Sequence, residues 1–270
     1  MTPLAQCSRA TLAAIRGVLT DIDETVSTAG HLTAEAYAAL EALKKAGLLV
    51  VPVTGRPAGW CDHIARFWPV DAVVGENGAF WMWHDTKKGK LRTRFIQSEV
   101  ERADGRRRLE EVRAEVLSNV PGAAIASDQP YRLADLAVDF CEDVPALPRS
   151  DVARIVAIFE KYGAHAKVSS IHVNGWFGDY DKLTTSRTMM AELFGVDLDA
   201  EAERYVFAGD SPNDAPMFAF FPNAVGMANV RDFADTIPHL PHWITSAGSG
   251  TGFVELARAV IEARRQAGPS

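Results

Sequence analysis

A chain of 270 residues, 47% of them hydrophobic, with a net charge of −7, has material for one large core, or for a core with a smaller satellite domain. The acidic balance excludes a polyanion partner held by general electrostatics, so nucleic acid is not expected. No run of about 18 apolar residues is present, so no membrane span is expected either. Cys7, Cys61 and Cys141 are scattered and unpaired in spacing, as reduced thiols of a cytoplasmic protein are. Arg9 and Arg16 flank no continuous apolar core, which argues against a signal peptide.

The first informative stretch is Gly17-Val18-Leu19-Thr20-Asp21-Ile22-Asp23-Glu24-Thr25. An apolar run ends in two carboxylates two apart, followed by a hydroxyl. As a buried parallel strand it delivers Asp21 and Asp23 to the carboxyl end of a sheet, where open α/β sheets bind ligands. Side chains two apart point the same way, so both acids face one small volume. Like charges that close raise each other's proton affinity unless a cation lies between them.

A helix follows over Thr33 to Ala46, with Leu40 and Leu43 at helical spacing and Gly47 as its stop. Leu48 to Val53 reads as a second buried strand ending at Thr54-Gly55-Arg56-Pro57. Pro57 suits the first turn of a helix with Trp60, Ile64 and Phe67 on its inner face. Asp71 to Gly75 is a third strand, ending at Glu76-Asn77-Gly78. This β-α-β-α-β run predicts an α/β doubly wound parallel sheet.

The rhythm then changes. Phe80 to His84 and Leu91 to Ile96 read as a hairpin, Gly105 to Asn119 as a charged helix, and Arg149 to Tyr162 as an amphipathic one. Leu133 to Phe140 alternates Leu136, Val138 and Phe140 against Asp135 and Asp139, the pattern of a half-exposed strand. Ala166 to Phe177 is strand again. Residues 84–177 are thus expected to form a smaller α+β unit inserted between core segments 1–83 and 178–270. In the second core segment Lys182 opens a helix, and Tyr205 to Ala208 is a strand ending at Gly209-Asp210-Ser211-Pro212-Asn213-Asp214. Ala224 to Met227 is a fifth strand, and the last helix runs from about Gly252 to Arg265. The glycine-rich stretch 248–252 lacks dinucleotide-loop spacing and reads as a capping loop.

The strand ends and the helix start compose a set for phosphoryl transfer. Asp21 can attack phosphorus, and Asp23 can protonate the leaving oxygen and later take a proton from water. Asp21 and Asp210 can hold a hard divalent cation, for which Mg²⁺ is the natural choice. Lys182, Thr54 and Gly55 can bind the non-bridging phosphate oxygens. Arg56 has two open roles, touching substrate or pairing locally at its helix start.

Asp-Ile-Asp-Glu-Thr, Val-Thr-Gly-Arg-Pro, Asp181-Lys182 and Gly-Asp-Ser-Pro-Asn-Asp resemble, in order, the four motifs of the haloacid dehalogenase superfamily. The insertion between the second and third motifs is similar to a type C2 cap. Glu-Asn-Gly-Ala at 76–79 and Gly-Met-Ala-Asn at 226–229 resemble the subclass IIB phosphatases of sugar, sucrose and trehalose phosphates. The resemblance implies that Asp21 is the nucleophile and Asp23 the general acid/base. It implies Mg²⁺ ligation by the carboxylates of Asp21 and Asp210 and the backbone carbonyl of Asp23. Asp214 would support the metal, Asn213 would orient phosphate or lysine, and Asn77 would join the phosphate-binding residues. Glu24 departs from the family, where glycine or aspartate is common.

The expected function is therefore a Mg²⁺-dependent phosphatase of a small phosphorylated metabolite, a sugar phosphate first. A phosphomutase of the same fold and a non-catalytic phosphate-binding protein are the alternatives. The inserted unit is expected to set substrate choice. His172, Asn174 and Trp176 alternate along the strand leading back to the core, so they share one face, and an inter-domain hinge is the competing reading for them.

Overall fold

The computed structural model describes residues 1–267. Its central sheet has six parallel strands in the order Thr2–Pro3, Trp243–Ile244, Val225–Gly226, Tyr205–Gly209, Gly17–Thr20, Leu49–Pro52. Val18, Leu19, Val50, Val51, Val206 and Phe207 are buried on both faces, as parallel strands covered by helices on each side require. On one face pack the helices Arg9–Ala14, Ala34–Lys45 and Ser249–Ala267; on the other lie Lys182–Phe194 and Ala215–Phe220. The Thr33 hydroxyl caps Ala34–Lys45 by accepting from the amide of Ala36 at 3.2 Å. Topology and layers are those of a doubly wound fold.

A single parallel bridge, Val53 to Val74, joins this sheet to a second one of three strands, Val73–Gly75, Phe80–Asp85 and Lys90–Phe95. The hairpin read from the sequence exists, but both of its strands extend the Val73–Gly75 strand in antiparallel register. Trp81 and Ile96 pack with the core helices. The expected unit boundary at residue 84 therefore falls inside the Phe80–Asp85 strand, and the hairpin stays with the core. The helix after Pro57 runs Ala58–Phe67, and its inner face is Ala58, Cys61, Ile64 and Ala65. Trp60 and Phe67, expected inside, are 43% and 68% exposed. Only Ile64 of the expected trio falls on the buried face.

The inserted unit is a four-stranded antiparallel sheet in the order Ala124–Ile125, Leu136–Asp139, His172–Trp176, His165–Val168. The helices Glu99–Asn119 and Arg149–Lys161 cover one face, burying Leu136, Val138 and Val173 against Val112, Val116, Ile155 and Phe159. Alternation along Leu136–Asp139 is as expected, but the polar face is not solvated. Asp135 and Asp139 are 3% and 1% exposed, because that side of the sheet closes onto the carboxyl edge of the core. The strand expected over Ala166 to Phe177 is two strands, with a turn at Ser169–Ile171 that reaches the same edge.

Candidate active site

Asp21 continues the line of the Gly17–Thr20 strand, its amide donating to the Ala208 carbonyl at 2.8 Å. Its carboxylate is 4% exposed and accepts from Lys182 Nζ at 3.0 Å. The same ammonium donates to Asp214 Oδ1 at 2.8 Å. Lys182 is the first residue of its helix, capped by Asp181, so helix geometry aims it at the strand ends. Asp214 Oδ2 accepts from the amides of Asp210 at 3.1 Å and Ser211 at 3.3 Å. Gly209 lets this carboxylate come so close: a Cβ there would stand 2.5 Å from Asp214 Oδ2. Asp210 in turn accepts from the Thr25 hydroxyl and from Asn229 Nδ2, both at 3.0 Å. Asp21, Asp210 and Asp214 each place a carboxylate oxygen within 4.8 Å of the others.

Three buried carboxylates against one ammonium leave an excess of negative charge. Burial first, then the neighbouring Asp214 and Asp23, lift Asp21 to about 7 despite Lys182. Burial and Asp21 push Asp210 well above the carboxylate range. Burial works against the charge on Lys182, yet Asp21 and Asp214 hold it above its ordinary value. An all-oxygen set of carboxylates short of positive charge is the donor chemistry a hard divalent cation takes, so these residues fit Mg²⁺.

Asp23 lies beside this cluster and is held differently. Arg56 Nε donates to both of its oxygens at 3.0 Å and Nη2 to Oδ1 at 2.8 Å. Arg56 is 4% exposed and also donates to Glu142 Oε1 at 3.0 Å, across to the inserted unit. Both readings of Arg56 are thereby narrowed: its partner is the neighbouring acid of the first motif, not an exposed local one. In the closed cleft both oxygens of the Asp23 carboxylate accept from this arginine.

Thr54 accepts from the amide of Arg56 at 3.0 Å, and Gly55 lines the cleft beside Asp21, Asp23 and Asn213. Asn213 is 5% exposed and accepts from the Ser211 hydroxyl at 2.8 Å. Asn77, at φ 53°, is 2% exposed, and neither atom of its side-chain amide has a partner among the described residues. It sits against Gly55, where a Cβ would meet Asn77 Nδ2 at 3.1 Å. Glu24 points away from the cleft, at φ 52°, accepting from the Ser249 hydroxyl at 2.9 Å and the Gly30 amide at 3.3 Å.

His172 and Asn174 do reach the cleft, both 2% exposed rather than displayed on an open strand. Asn174 Nδ2 donates to Asp135 Oδ2 at 3.0 Å, and His172 Nε2 stands 2.9 Å from Glu142 Oε2. Trp176 does not reach it. Its ring stacks on Tyr180 with centroids 5.7 Å apart, Nε1 donates to the Tyr180 carbonyl at 3.1 Å, and it packs with Phe80 and Met82 at the return to the core. Alternation puts it on the right face, but the strand has by then run past the cleft.

Residues that the sequence reading passed over complete the closure. Arg132, fully buried in its side chain, donates to both oxygens of Asp135 at 3.0 Å, to Asp128 at 3.0 and 3.2 Å, and to the Gly55 carbonyl at 2.9 Å. Glu76 accepts from the amides of Leu133, Ala134 and Asp135 on one side and Ala58 on the other. Burial and Asp135 raise Glu76 to about 7. The cleft so enclosed has about 10 Å³ of free space, room for roughly one water. In this arrangement the cleft has no room for a metabolite.

Residues 18–103 match the family model of the haloacid dehalogenase-like hydrolases, and the four motifs converge on one cleft. The match covers about a third of the chain, and there the chain is similar to the haloacid dehalogenase-like hydrolases. No curated protein sequence matches it. Among solved structures, a Thermoplasma acidophilum protein, 0175, is 19% identical with a TM-score of 0.68, over 92% of this chain and 99% of that one. The C-terminal domain of trehalose-6-phosphate phosphatase from C. albicans is 13% identical with a TM-score of 0.69, over 97% and 98%. The sucrose-phosphatase of Synechocystis sp., solved with sucrose and phosphate, is 13% identical with a TM-score of 0.63, over 91% and 98%. These likenesses are of fold, and they span the core and the inserted unit together.

Proposed function

We propose that this protein is a Mg²⁺-dependent phosphatase of a small phosphorylated metabolite, a sugar phosphate first, working through an aspartyl-phosphate. The observation that carries the reading is Asp21 and Asp23 side by side in one cleft, with Lys182 on Asp21 and Asp210 and Asp214 within reach. Asp21, Asp210 and the Asp23 carbonyl would hold Mg²⁺, with Asp214 in support; the cation would offset the charge of a phosphate approaching this acidic cluster.

In the first half-reaction an Asp21 carboxylate oxygen attacks phosphorus, and the bond from phosphorus to the alcohol oxygen breaks. Asp23 gives its proton to the departing oxygen. In the second half a water attacks the same phosphorus while Asp23 takes its proton, and the Asp21 oxygen leaves as carboxylate. Lys182, the Thr54 hydroxyl, the Gly55 amide and Asn213 bind the remaining phosphate oxygens. The unpartnered Asn77 amide beside Gly55 supports its place in the same cradle. The phosphatases of trehalose 6-phosphate and sucrose phosphate among the fold's relatives point to sugar esters.

The test is phosphate release from a panel of sugar phosphates and p-nitrophenyl phosphate, with Mg²⁺ and with excess chelator. Chelator should silence the enzyme. Asp21→Asn should lower kcat by at least about a thousandfold while melting no earlier than the parent, because it relieves a crowded carboxylate. Near-normal release by that variant would sink the proposal.

A further inference from the structure

The cap side of the cleft carries a charge pattern that the hydrolysis of phosphate does not call for. Two guanidiniums, Arg56 and Arg132, face it, and four carboxylates surround them: Asp23, Asp128, Asp135 and Glu142. Arg132 commits Nε, Nη1 and Nη2 to Asp128, Asp135 and the Gly55 carbonyl. Arg56 commits Nε and Nη2 to Asp23 and Glu142, and its Nη1 lies 3.6 Å from Asp128. Neither fork offers an anion a free pair of donor nitrogens, Arg56 keeping only Nη1 and that one facing Asp128, and no lysine lines the cap side among the described residues. What remains to meet a ligand there is the hydrogen-bonding set Asn174, His172 and Ser169.

Glu142 is built into this wall. The Asp139 carboxylate, 1% exposed, accepts from the amides of Cys141 at 2.9 Å, Glu142 at 2.8 Å and Asp143 at 2.8 Å. That clamp folds the loop back so that Glu142 reaches Arg56 at 3.0 Å and His172 at 2.9 Å. Its side chain is still 29% exposed, directly behind Arg56 and His172 of the cleft wall.

We infer that the cap selects phosphate monoesters whose alcohol is an uncharged or amine-bearing polyol and turns away those whose alcohol bears a second anion, with Glu142 setting the choice. The inference rests on the phosphatase reading and narrows its substrate class. A second carboxylate or phosphate on the alcohol would meet an excess of fixed negative charge and would have to displace a carboxylate from Arg56 or Arg132 to find a two-pronged partner. A hydroxyl meets neither obstacle.

The experiment compares sorbitol 6-phosphate with 6-phosphogluconate, which differ at one end by a hydroxymethyl group against a carboxylate, with p-nitrophenyl phosphate as a minimal ester. For an ester not turned over, its inhibition constant against p-nitrophenyl phosphate supplies the comparison. The parent enzyme should favour sorbitol 6-phosphate by at least about tenfold in kcat/KM. Glu142→Gln should narrow that ratio severalfold, and Glu142→Asp, which keeps the charge, should preserve it. Equal or better use of 6-phosphogluconate by the parent overturns the inference, and so does a ratio that Glu142→Gln leaves unmoved in a variant that melts cooperatively. In both cases hydrolysis of p-nitrophenyl phosphate leaves the phosphatase reading standing. No phosphate release from any ester removes both. Should Glu142→Gln fail to fold, the parent's ratio decides.

Discussion

The two halves of the cleft are both buried ionic networks, yet they are incomplete in different ways. In the core half, Asp21, Asp210 and Asp214 share a single ammonium, Lys182, and burial with mutual repulsion drives two of the acids upward. That half is short of positive charge. In the cap half, every donor nitrogen of Arg132 and two of the three of Arg56 have a carboxylate or carbonyl partner, and the partners come from both units. That half is saturated, and its bonds run across the gap that a substrate must open. An acid-rich site thus lies against an ionic clasp between the two units, the arrangement that would suit a cap shutting on a reaction and then releasing product.

The sharpest way to break this comparison is to remove one cation from each half. Lys182→Met should abolish measurable turnover and cost about 3–5 kcal/mol of stability without metal, because it strands buried carboxylates. Mg²⁺ should restore part of that stability, since it can replace the missing charge. Arg132→Met should cost a similar about 3–5 kcal/mol, and Mg²⁺ should restore no more than it adds to the parent. Thermal melts of both variants with and without Mg²⁺ read the difference. Equal recovery in the two would mean that the halves are not distinct.

The same contrast explains what could be read from the residues alone. Each element of the core half ends in its own polar group just after an apolar run, as Asp21, Thr54 and Asp210 do, and sheet topology carries those ends to one edge. Local pattern and global position agree there. Arg132 has no such signal, because its partners Gly55 and Asp135 are set by how the cap lands. Asp135 and Asp139 alternate correctly with Leu136 and Val138, yet alternation cannot tell a face turned to water from a face turned to a second domain. A boundary at residue 84 puts the second arm of the hairpin, Leu91 to Ile96, in the inserted unit for a related reason. A change from helical rhythm to strand rhythm marks a new sheet, and here that sheet continues the Val73–Gly75 strand of the core. Trp176 shows the limit of period two: it fixes the face of a residue and not how far along the cleft it lies.

Trp176 offers a smaller test of the boundary between site and scaffold. Trp176→Phe keeps a ring against Tyr180 and His165 but deletes the donor to the Tyr180 carbonyl. The variant should lose about 1–2 kcal/mol and change kcat/KM by one common factor for sugar esters and p-nitrophenyl phosphate. A selective loss on the sugar esters would return Trp176 to the substrate wall.

The smallest expected effect tests the clasp by pH. His172 beside it, followed by the Arg56 guanidinium, holds Glu142 down to about 2 from an ordinary 4.5. A group whose folded value lies below its unfolded one binds its proton more weakly in the native state. Its contribution is therefore complete above pH 4.5 and is lost as pH falls towards 2. Glu142 is only half enclosed, so solvent screening cuts the effect to about 1 kcal/mol, or about 2–4 °C in melting temperature. Glu142→Gln cannot titrate there. The melting temperature of the parent should exceed that of the variant by this amount at pH 6, and the gap should close as the pH approaches 2.5. Other acids titrate over the same range in both proteins and cancel in the difference. A gap that stays constant from pH 6 to pH 2.5 would show that Glu142 carries no ionic link between cap and core, and the clasp would then rest on Arg132 and Glu76 alone.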